Sequence, residues 1–376
     1  MNKIHIVSFQ NPFPANYGGV IDVYYKIKAL KNAGYYIILH TYCYGRDKSE
    51  NDLKNVADEV YFYTRKTGII SQLSFLPYIV NSRRDNKLLT DLLKDNYPIL
   101  FEGLHTCFLL NEKQLNNRVK MVRMHNIEHE YYKNLSLSTK SVFKKIFYEI
   151  ESFRLKRYER ILQYASIIFP ISVKEEEYFR QRYNDVEIKL LPCFFDDKFV
   201  SEDRCSENYI LYHGNLEVDE NIRAVEYILD NIVSKIPNKK FVFAGANPSE
   251  LLVKKIKSYD NTEIYSNLNN VRLDELIKKA KINLLITFQD TGVKLKLINA
   301  LYKGGFCVVN DKMISGTNLA DECIVAKTDS EMIDLLLKYS DMTYTENDLN
   351  KRKVFLENNI SVKNTVKIIS HILVVK

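Results

Sequence analysis

Short apolar segments alternate with longer amphipathic segments along most of this 376-residue chain. An apolar run of about four to eight residues fits a strand buried on both faces, and the amphipathic segments fit helices that cross over between parallel strands. The pattern therefore predicts an α/β protein with parallel sheets. A chain of this length exceeds what one hydrophobic core usually holds, so we expect about two domains.

The alternation is interrupted at residues 191–208, LPCFFDDKFVSEDRCSEN, where proline, charge and small polar residues replace the periodic pattern. Two Rossmann-like domains joined by one linker is the simplest interpretation. The predicted boundaries are an N-terminal domain at 1–195, a linker at 196–207, a C-terminal domain at 208–355, and a C-terminal helix at 356–376 that could cross back to the first domain. Strands are expected at residues 4–9, 36–42, 60–63, 99–102, 119–124, 167–171, 187–191, 209–213, 241–244, 282–287, 306–309 and 323–326.

Composition excludes some classes of protein. The formal net charge of +7 is a mild excess, far from that of a histone-like nucleic-acid binder, and no recognised nucleic-acid motif accompanies it. The six cysteines include no CxxC pair and no zinc-finger spacing, so buried free thiols in a reducing compartment are expected. The first residues do not resemble a signal peptide, and no apolar run approaches the roughly 20 residues that cross a bilayer. We expect a cytoplasmic protein, at most attached to the inner face of a membrane.

Two glycines, Gly18 and Gly19, follow the first strand where a helical pattern begins. Without side chains, they would let a ligand approach the backbone N–H groups of that turn, although a tight loop alone would also use them. The chain lacks GxGxxG, which argues against an NAD or FAD site, and lacks GxxxxGK[ST], which argues against a Walker loop.

The segment RMHNIEHE places His125 and Asn126 directly after a strand. Open α/β sheets bind ligands at the carboxyl ends of their strands, so both residues are candidate site residues; half-buried polar residues at a helix start are the alternative. The same segment also matches HxxEH, the inverted zinc-peptidase signature, through His125, Glu128 and His129. That signature requires both histidines on one helix, whereas His125 abuts a strand.

A basic amphipathic segment occupies residues 139–164, with apolar residues at helical spacing among lysines and arginines, including Lys140 and Arg160. Such a helix can lie on an anionic membrane. The alternative is a helix whose apolar stripe packs on the sheet and whose charged face is solvated.

In the second domain, Gly214 and Asn215 follow one expected strand and Gly245 ends the next. The clearest anion site is in TGVKLKLINALYKGG, where Lys294 and Lys296 lie at the point where a glycine turn becomes a helix. A helix N-terminus presents unpaired N–H groups and the positive end of the helix dipole. We therefore expect a phosphate-bearing ligand at this position.

Taken together, these segments resemble the retaining glycosyltransferases of the GT-B fold, especially family 4 and its GxKxK subgroup. The resemblance covers nearly the whole chain, through NPFPANYGG, RMHNIEHE, KRYERILQYASIIFPIS, ILYHGNLEVDENIRAVEYIL, FVFAGANP, LDELIKKAKINLLI and TGVKLKLINALYKGGFCVVN. It implies two Rossmann-like domains that face each other across a cleft, with the nucleotide sugar bound mainly by the second.

The resemblance also implies roles for individual residues. Lys294 and Lys296, with the amides near Gly292 and Val293, would hold the donor diphosphate. Gly18 and Gly19 would close over it from the first domain, and His125 would approach the donor sugar or its phosphate. The implied donor-binding set also contains Asn126, Gly214, Asn215, Gly245 and Asn299.

Many members of the family carry two glutamates where this chain has Thr291 and Asn299. An amide at Asn299 can still hydrogen-bond a ribose, but Thr291 supplies no carboxylate to the sugar. The expected enzyme is a metal-independent hexosyltransferase with no cofactor, which transfers a sugar to a glycan or lipid-linked oligosaccharide in polysaccharide biosynthesis. A GT-B-fold nucleotide-sugar epimerase and a catalytically silent glycosyltransferase-like subunit are the alternatives.

Overall fold

The computed structural model describes residues 2–15, 18–45, 50–68, 74–139, 141–289 and 294–375. The chain divides into two compact units: Met1–Phe195 together with Val362–Lys376 form the first, and Asp196–Ser361 forms the second. Each unit contains a parallel sheet with helices, so the predicted α/β fold class with two Rossmann-like domains is confirmed.

The first unit has a seven-stranded sheet in the order β3-β2-β1-β4-β5-β6-β7, and the paired strands run parallel. The inner strands are buried on both faces, which explains their continuous apolar sequences. The strands are β1 Lys3–Ser8, β2 Tyr36–Cys43, β3 Glu59–Thr64, β4 Ile99–Glu102, β5 Lys120–Arg123, β6 Ile167–Phe169 and β7 Glu187–Ile188.

Side-chain caps start some of the helices of the first unit, among them α6 and α7. Ser172 and Glu175 form a capping box that starts α7, and the Ser141 hydroxyl accepts a hydrogen bond from the Lys144 N–H at the start of α6. The helices are α1 Gly18–Asn32, α2 Glu50–Lys54, α3 Tyr78–Asn81, α4 Asn86–Leu92, α5 Glu128–Ser138, α6 Val142–Tyr158 and α7 Val173–Arg180, with 3-10 helices at Leu104–Leu109, Lys113–Leu115 and Glu159–Tyr164.

The second unit has a six-stranded parallel sheet in the order β10-β9-β8-β11-β12-β13. Its strands are β8 Glu207–Asn215, β9 Lys240–Ala246, β10 Thr262–Ser266, β11 Ala280–Leu285, β12 Phe306–Asn310 and β13 Ile324–Ala326. Its helices are α8 Asp219–Asn231, α9 Glu250–Lys257, α10 Asn270–Lys279, α11 Leu295–Lys303, α12 Asp311–Ile314, α13 Asp329–Asp341 and α14 Glu346–Asn359, with 3-10 helices at Val233–Lys235 and Ala320–Glu322.

Two segments differ from their predicted form. The predicted C-terminal helix at 356–376 is the end of α14 followed by a separate helix, α15 Val362–Val375, which packs on α1 in the first unit. The predicted linker at 196–207 is held against the C-terminal end of α11: the Val200 N–H donates to the Tyr302 carbonyl over 3.1 Å, and the Arg204 guanidinium donates to carbonyls there, including that of Leu301.

Two expectations from the sequence concern the cysteines and the membrane-spanning segments. Each of the six cysteines is a free thiol. None of the helices in the described ranges combines the length and the apolar character needed to cross a bilayer.

Gly214 of β8 lies opposite Gly245 of β9. A Cβ atom added to Gly245 would lie 2.1 Å from the Gly214 carbonyl oxygen and 2.6 Å from the Leu216 Cγ. Both contacts are far inside van der Waals distance, and the first involves backbone that cannot rotate away. The sheet therefore requires glycine at this position whether or not a ligand binds here.

We expect Gly245→Ala to lower the free energy of unfolding by about 1 to 3 kcal/mol, because the new methyl group forces the β8–β9 backbone apart. Urea unfolding followed by circular dichroism measures this without any ligand. Gly68→Ala is the control, since nothing lies within 4 Å of its added Cβ. Equal stability of the two variants would contradict the close approach.

Candidate functional site

The first unit gathers charged side chains at the carboxyl edge of its sheet, beside the central pair β1 and β4. Asp22 and Lys26 lie on α1, Glu102 ends β4, Arg123 ends β5, and His125 follows two residues later. Asp22, Lys26, Glu102 and Arg123 are fully or almost fully buried. The sheet continues with β2 and β3 on one side of this pair and with β5, β6 and β7 on the other. Open α/β sheets bind their ligands in the crevice that forms at such a point.

Lys26 joins the two carboxylates of this cluster. Its Nζ lies 2.9 Å from Asp22 Oδ2 and 2.7 Å from Glu102 Oε1. A buried ammonium is strongly destabilising unless it is paired and hydrogen-bonded, and here two carboxylates supply that pairing. The side chains of α1 and β4 are thereby fixed to each other.

Arg123 completes the neutralisation of Asp22 from the other side. Its Nε and Nη2 lie 3.1 Å from the two carboxylate oxygens, in the bidentate geometry that guanidinium groups favour. The same guanidinium donates to the carbonyls of Pro170 and Leu191, while Asp22 Oδ1 also accepts from the Phe194 N–H over 2.7 Å. Asp22 therefore ties α1 to the chain that follows β7.

The cations of the cluster keep both carboxyl groups ionised. Burial alone would raise the pKa of Asp22, but Arg123, Lys26 and His125 outweigh it and hold the pKa well below its ordinary value. Burial likewise opposes ionisation of Glu102, whose pKa is held below its ordinary value by Lys26 and His125. Two anions and two permanent cations are thus closely balanced in the interior.

His125, a predicted site residue, is oriented by this cluster. Its Nε2 lies 2.9 Å from Glu102 Oε2, so Nε2–H donates to the carboxylate, whereas Nδ1 is 3.8 Å from Asp22 Oδ2, too far for a hydrogen bond. The Phe9 ring packs edge-on against the imidazole, with centroids 5.6 Å apart. Asn126, the next predicted site residue, is half-buried in the turn after β5.

Gly18 and Gly19 form the first turn of α1. A Cβ atom on Gly19 would lie 2.8 Å from the tip of the Phe9 ring, so this glycine makes room for the ring that packs on His125. The glycine pair therefore has a packing role beside the one expected from the sequence.

The HxxEH interpretation is wrong. His125 bonds Glu102, whereas His129 lies in α5 with its Nδ1 3.3 Å from Glu159 Oε2. Glu128 is buried, and burial raises its pKa to about 8. The two histidines have different partners on different elements, so they do not form one zinc-binding pair.

One set of potential metal ligands does occur in the described residues: Asp22, Glu102 and His125 each place a ligand atom within 4.8 Å of the others. Lys26 already lies between the two carboxylates, at 2.9 and 2.7 Å. A divalent ion bound to both carboxylates would compete with that buried ammonium. The donor set therefore fits an internal ion-pair network better than a metal centre.

The second unit has its own polar cluster at the corresponding point of its sheet, beside the central pair β8 and β11. Lys296 lies in the first turn of α11, Tyr212 on β8, and Asn221 in the first turn of α8. The Lys296 Nζ donates to Asn221 Oδ1 over 3.1 Å and to the Tyr212 hydroxyl oxygen over 3.4 Å. The Asn221 Nδ2 donates to the carbonyl of Asn215 at the end of β8. The cluster thus connects both helix starts to the strand end.

Lys296 differs from Lys26 because its hydrogen-bond partners are uncharged. Burial lowers the pKa of Lys296 to about 8; Glu220 opposes this shift and Lys294 adds to it. The Glu220 carboxylate itself accepts a hydrogen bond from the Thr287 hydroxyl. A desolvated ammonium beside a helix N-terminus is a site where an anion would be strongly favoured.

The structure describes most, but not all, of the other predicted site residues of this unit. Lys294 is the residue that precedes α11, and its own side chain does not cap the helix. Asn299 is half-buried one turn after Lys296. Gly214, Asn215 and Gly245 lie together at the ends of β8 and β9. Thr291, Gly292 and Val293 lie outside the described residues.

His213, next to Gly214, is a further buried group that sequence reasoning did not select. Burial, together with Lys296 and Lys303, lowers its pKa to about 3, so its ring is neutral. Its Nε2 has no hydrogen-bond partner among the described residues.

Sequence reasoning missed Lys26, Glu102 and Tyr212 and gave no role to Asp22. A signal existed for one pair: Asp22 and Lys26 are four residues apart on the apolar face of α1, where unpaired charges would be costly. Glu102 is a lone charge at the end of an apolar strand. The contact of Tyr212 with Lys296 joins residues 84 positions apart and leaves no local pattern.

We expect Asp22→Asn to lower the stability at neutral pH by about 3 to 5 kcal/mol, because two buried cations lose a shared anion. Since folding lowers the pKa of Asp22, its contribution is present above the unfolded-state pKa of about 4 and is lost as the pH falls further. The free energy of unfolding, measured with urea at pH 7 and at pH 3, should therefore fall less between these two pH values in the variant than in the parent. Asp341→Asn, which removes the carboxylate of an exposed ion pair, is the control. If the free energy of unfolding falls equally with pH in the parent and in Asp22→Asn, Asp22 does not stabilise the two cations.

No family model matches the chain. It is 27% identical over 362 residues to an uncharacterized 44.6 kDa protein in the cps region of Klebsiella pneumoniae, with 90% of this chain and 91% of that protein covered.

Solved structures resemble the chain over its whole length. A sucrose-phosphate synthase from Thermosynechococcus elongatus has a TM-score of 0.74 at 14% identity, covering 99% of this chain and 98% of its own. The HepE protein of Anabaena, in complex with UDP and glucose, has a TM-score of 0.69 at 12% identity, with all of both chains covered. An α,α-trehalose-phosphate synthase (UDP-forming) from Burkholderia vietnamiensis has a TM-score of 0.65 at 11% identity, with 99% and 97% covered. At these identities the likeness establishes the fold: the chain has the two-domain GT-B fold of these enzymes.

Proposed function

We propose that the chain is a glycosyltransferase that uses a nucleoside-diphosphate sugar as donor. The observation that carries this proposal is Lys296, a desolvated cation with uncharged partners in the first turn of α11. It lies beside the glycine-bearing ends of β8 and β9. A diphosphate would gain the charge of Lys296 and the N-terminal dipole of α11 at the same place.

The same arrangement suits the chemistry of sugar transfer. When the bond between the anomeric carbon and the donor diphosphate breaks, negative charge accumulates on the departing diphosphate. Cationic groups and helix dipoles that are already in place stabilise such charge without reorganisation. Lys296, with Lys294 at the start of the same helix, would act on the leaving group, and retention of configuration is the stereochemical outcome proposed from the family 4 resemblance.

The structural comparisons support a nucleotide-sugar donor. The HepE protein was solved with UDP and glucose and also with UDP-glucose, and its fold matches this chain over the full length of both. Asn299 is proposed as the ribose contact, and Gly214, Asn215 and Gly245 as backbone contacts near the diphosphate.

In the first unit, His125 is proposed to approach the donor sugar or its phosphate. Glu102 fixes the ring through Nε2 and leaves Nδ1 beyond hydrogen-bond distance of Asp22. Glu102 is in turn held by Lys26. The buried ion pairs therefore act as supports that orient His125, and Gly18, Gly19 and Asn126 are the proposed neighbours that complete this side of the site.

We propose a glycan or lipid-linked oligosaccharide as the acceptor, in polysaccharide biosynthesis, with a hexosyl donor and no metal ion. Metal independence follows if Lys294 and Lys296 neutralise the diphosphate by themselves. A nucleotide-sugar epimerase of the same fold would instead convert the donor with no acceptor present, and a silent glycosyltransferase-like subunit would fail to bind nucleotide. Product analysis with and without acceptor separates the three.

Lys296→Ala should weaken the binding of UDP or GDP about tenfold to a hundredfold, because it removes one charge-assisted contact to the diphosphate. Thermal shift and titration calorimetry over UDP, GDP and their sugars measure the effect, with Lys294→Ala as the second variant. Lys254→Ala is the matched control, since it removes the same charge from an exposed position on α9. If the parent protein responds to none of these nucleotides, the transferase proposal fails.

The affinity for the nucleotide should fall as the pH rises above about 8, because the pKa of Lys296 in the free protein is about 8. Only the ammonium form attracts the diphosphate, whose own charge is constant above pH 7. The decline approaches tenfold per pH unit until the higher pKa of the bound state is reached. Lys296→Arg, which keeps its charge at high pH, should bind with a flat profile between pH 7 and 9. A flat profile in the parent would show that Lys296 does not contact the diphosphate.

A further inference from the structure

Helix α6, Val142–Tyr158, exposes its apolar stripe to solvent. The stripe consists of Val142, Phe143, Ile146, Ile150 and Phe153, whose exposed fractions range from 46% to 87%. These residues recur at three- and four-residue spacing, so they lie along one side of a helix about 25 Å long. A contiguous exposed apolar surface of this kind marks an interaction site.

The opposite side of α6 is the one that packs on the protein, through both aromatic and polar groups: the Phe147 ring packs on Tyr78 and the Tyr148 ring on Tyr132. The buried Glu151 carboxylate accepts a hydrogen bond from the Tyr78 N–H over 2.6 Å. The Ser152 hydroxyl donates to the His129 carbonyl over 2.7 Å, and Leu155 is fully buried. The alternative in which the apolar stripe packs on the sheet is therefore wrong: the helix is attached by its other side.

Cations border the exposed stripe. Lys145 and Lys156 are exposed and eleven residues apart, which places them on the same edge of the stripe, three turns from each other. Arg157 is exposed and lies in line with the stripe, four residues after Phe153. The stripe and its border thus combine apolar side chains with an excess of positive charge.

One acidic residue of α6 interacts with these cations: Lys133, and less strongly Lys145, hold the pKa of Glu149 below its ordinary value. Glu149 lies 2.7 Å from Lys133 of α5. Glu151 is buried and lies 2.8 Å from Arg154. Each carboxylate therefore has a basic partner of its own, Lys133 or Arg154, and the cations at the border of the stripe remain in excess.

We propose that α6 docks on an anionic lipid surface, lying parallel to it with the stripe at the boundary between headgroups and acyl chains. Charge complementarity selects this occupant: Lys145, Lys156 and Arg157 would meet anionic headgroups while the stripe leaves water. A second copy of the chain fits less well, because pairing two such stripes would bring their cationic borders together. The inference is independent of sugar transfer, since none of the proposed donor contacts lies on α6.

The test is flotation of the full-length protein, without nucleotide, on vesicles of phosphatidylcholine alone or mixed with phosphatidylglycerol. We expect binding to the mixed vesicles that weakens as salt is raised. Phe143→Ser/Phe153→Ser should reduce the partition at least about tenfold, because two large apolar groups no longer leave water. Lys145→Gln/Lys156→Gln should reduce it about fivefold per charge on the mixed vesicles only.

Leu251→Ser/Val271→Ser is the matched control, because it removes two exposed apolar side chains from α9 and α10. This control should bind vesicles as the parent does, and all altered positions are exposed, so each variant should keep the parent melting temperature. Absence of parent binding to the mixed vesicles, or equal binding by Phe143→Ser/Phe153→Ser, would overturn the proposal. A parent dimer that dissociates in that variant, with no vesicle binding, would identify a second copy as the occupant instead.

Discussion

In each unit the chain extends from a central pair of parallel strands toward opposite edges of the sheet, and this topology determines where chemistry can occur. The pairs are β1–β4 in the first unit and β8–β11 in the second. The loops that leave the two central strands diverge, so their carboxyl ends form a crevice that side chains from distant parts of the chain can reach. Both polar clusters lie at such a point.

Two lysines at corresponding points of the two sheets have different partners, and different roles are expected of them. Lys26 lies between two carboxylates that remain ionised, so its charge is fully used within the protein. Lys296 is half-buried and donates to an amide oxygen and a hydroxyl, which leaves its charge available to a ligand. Removing an anion near Lys26 should therefore affect folding, whereas removing the charge of Lys296 should affect binding. The number of carboxylates within contact distance separates the structural lysine from the lysine that is proposed to bind the ligand.

The strand predictions succeeded where both faces of a strand are buried, because the sequence there is apolar throughout, as in Ile99–Glu102. They failed at β10, Thr262–Ser266, an edge strand with half-buried and exposed residues whose sequence TEIYS has no apolar run. Of the candidate site, sequence could predict the residues at strand ends and helix starts, such as His125 and Lys296, because position alone suggests their role. It could not predict the contact of Lys26 with Glu102 or that of Lys296 with Tyr212, since only the sheet topology brings these residues together.

Helix α6 illustrates a further limit of sequence patterns. Helical spacing of apolar residues shows that a helix has two faces, but it does not show which face the protein covers. In α6, hydrogen bonds help to determine which face is covered: the Glu151 carboxylate and the Ser152 hydroxyl bond to backbone groups of the first unit. Rotating the helix to bury Phe143 and Phe153 would expose Leu155 and break those bonds, leaving the Tyr78 N–H without its carboxylate acceptor. The contacts on this side therefore keep the apolar stripe outward, and a lipid surface, the proposed partner, is an environment in which that orientation carries no penalty.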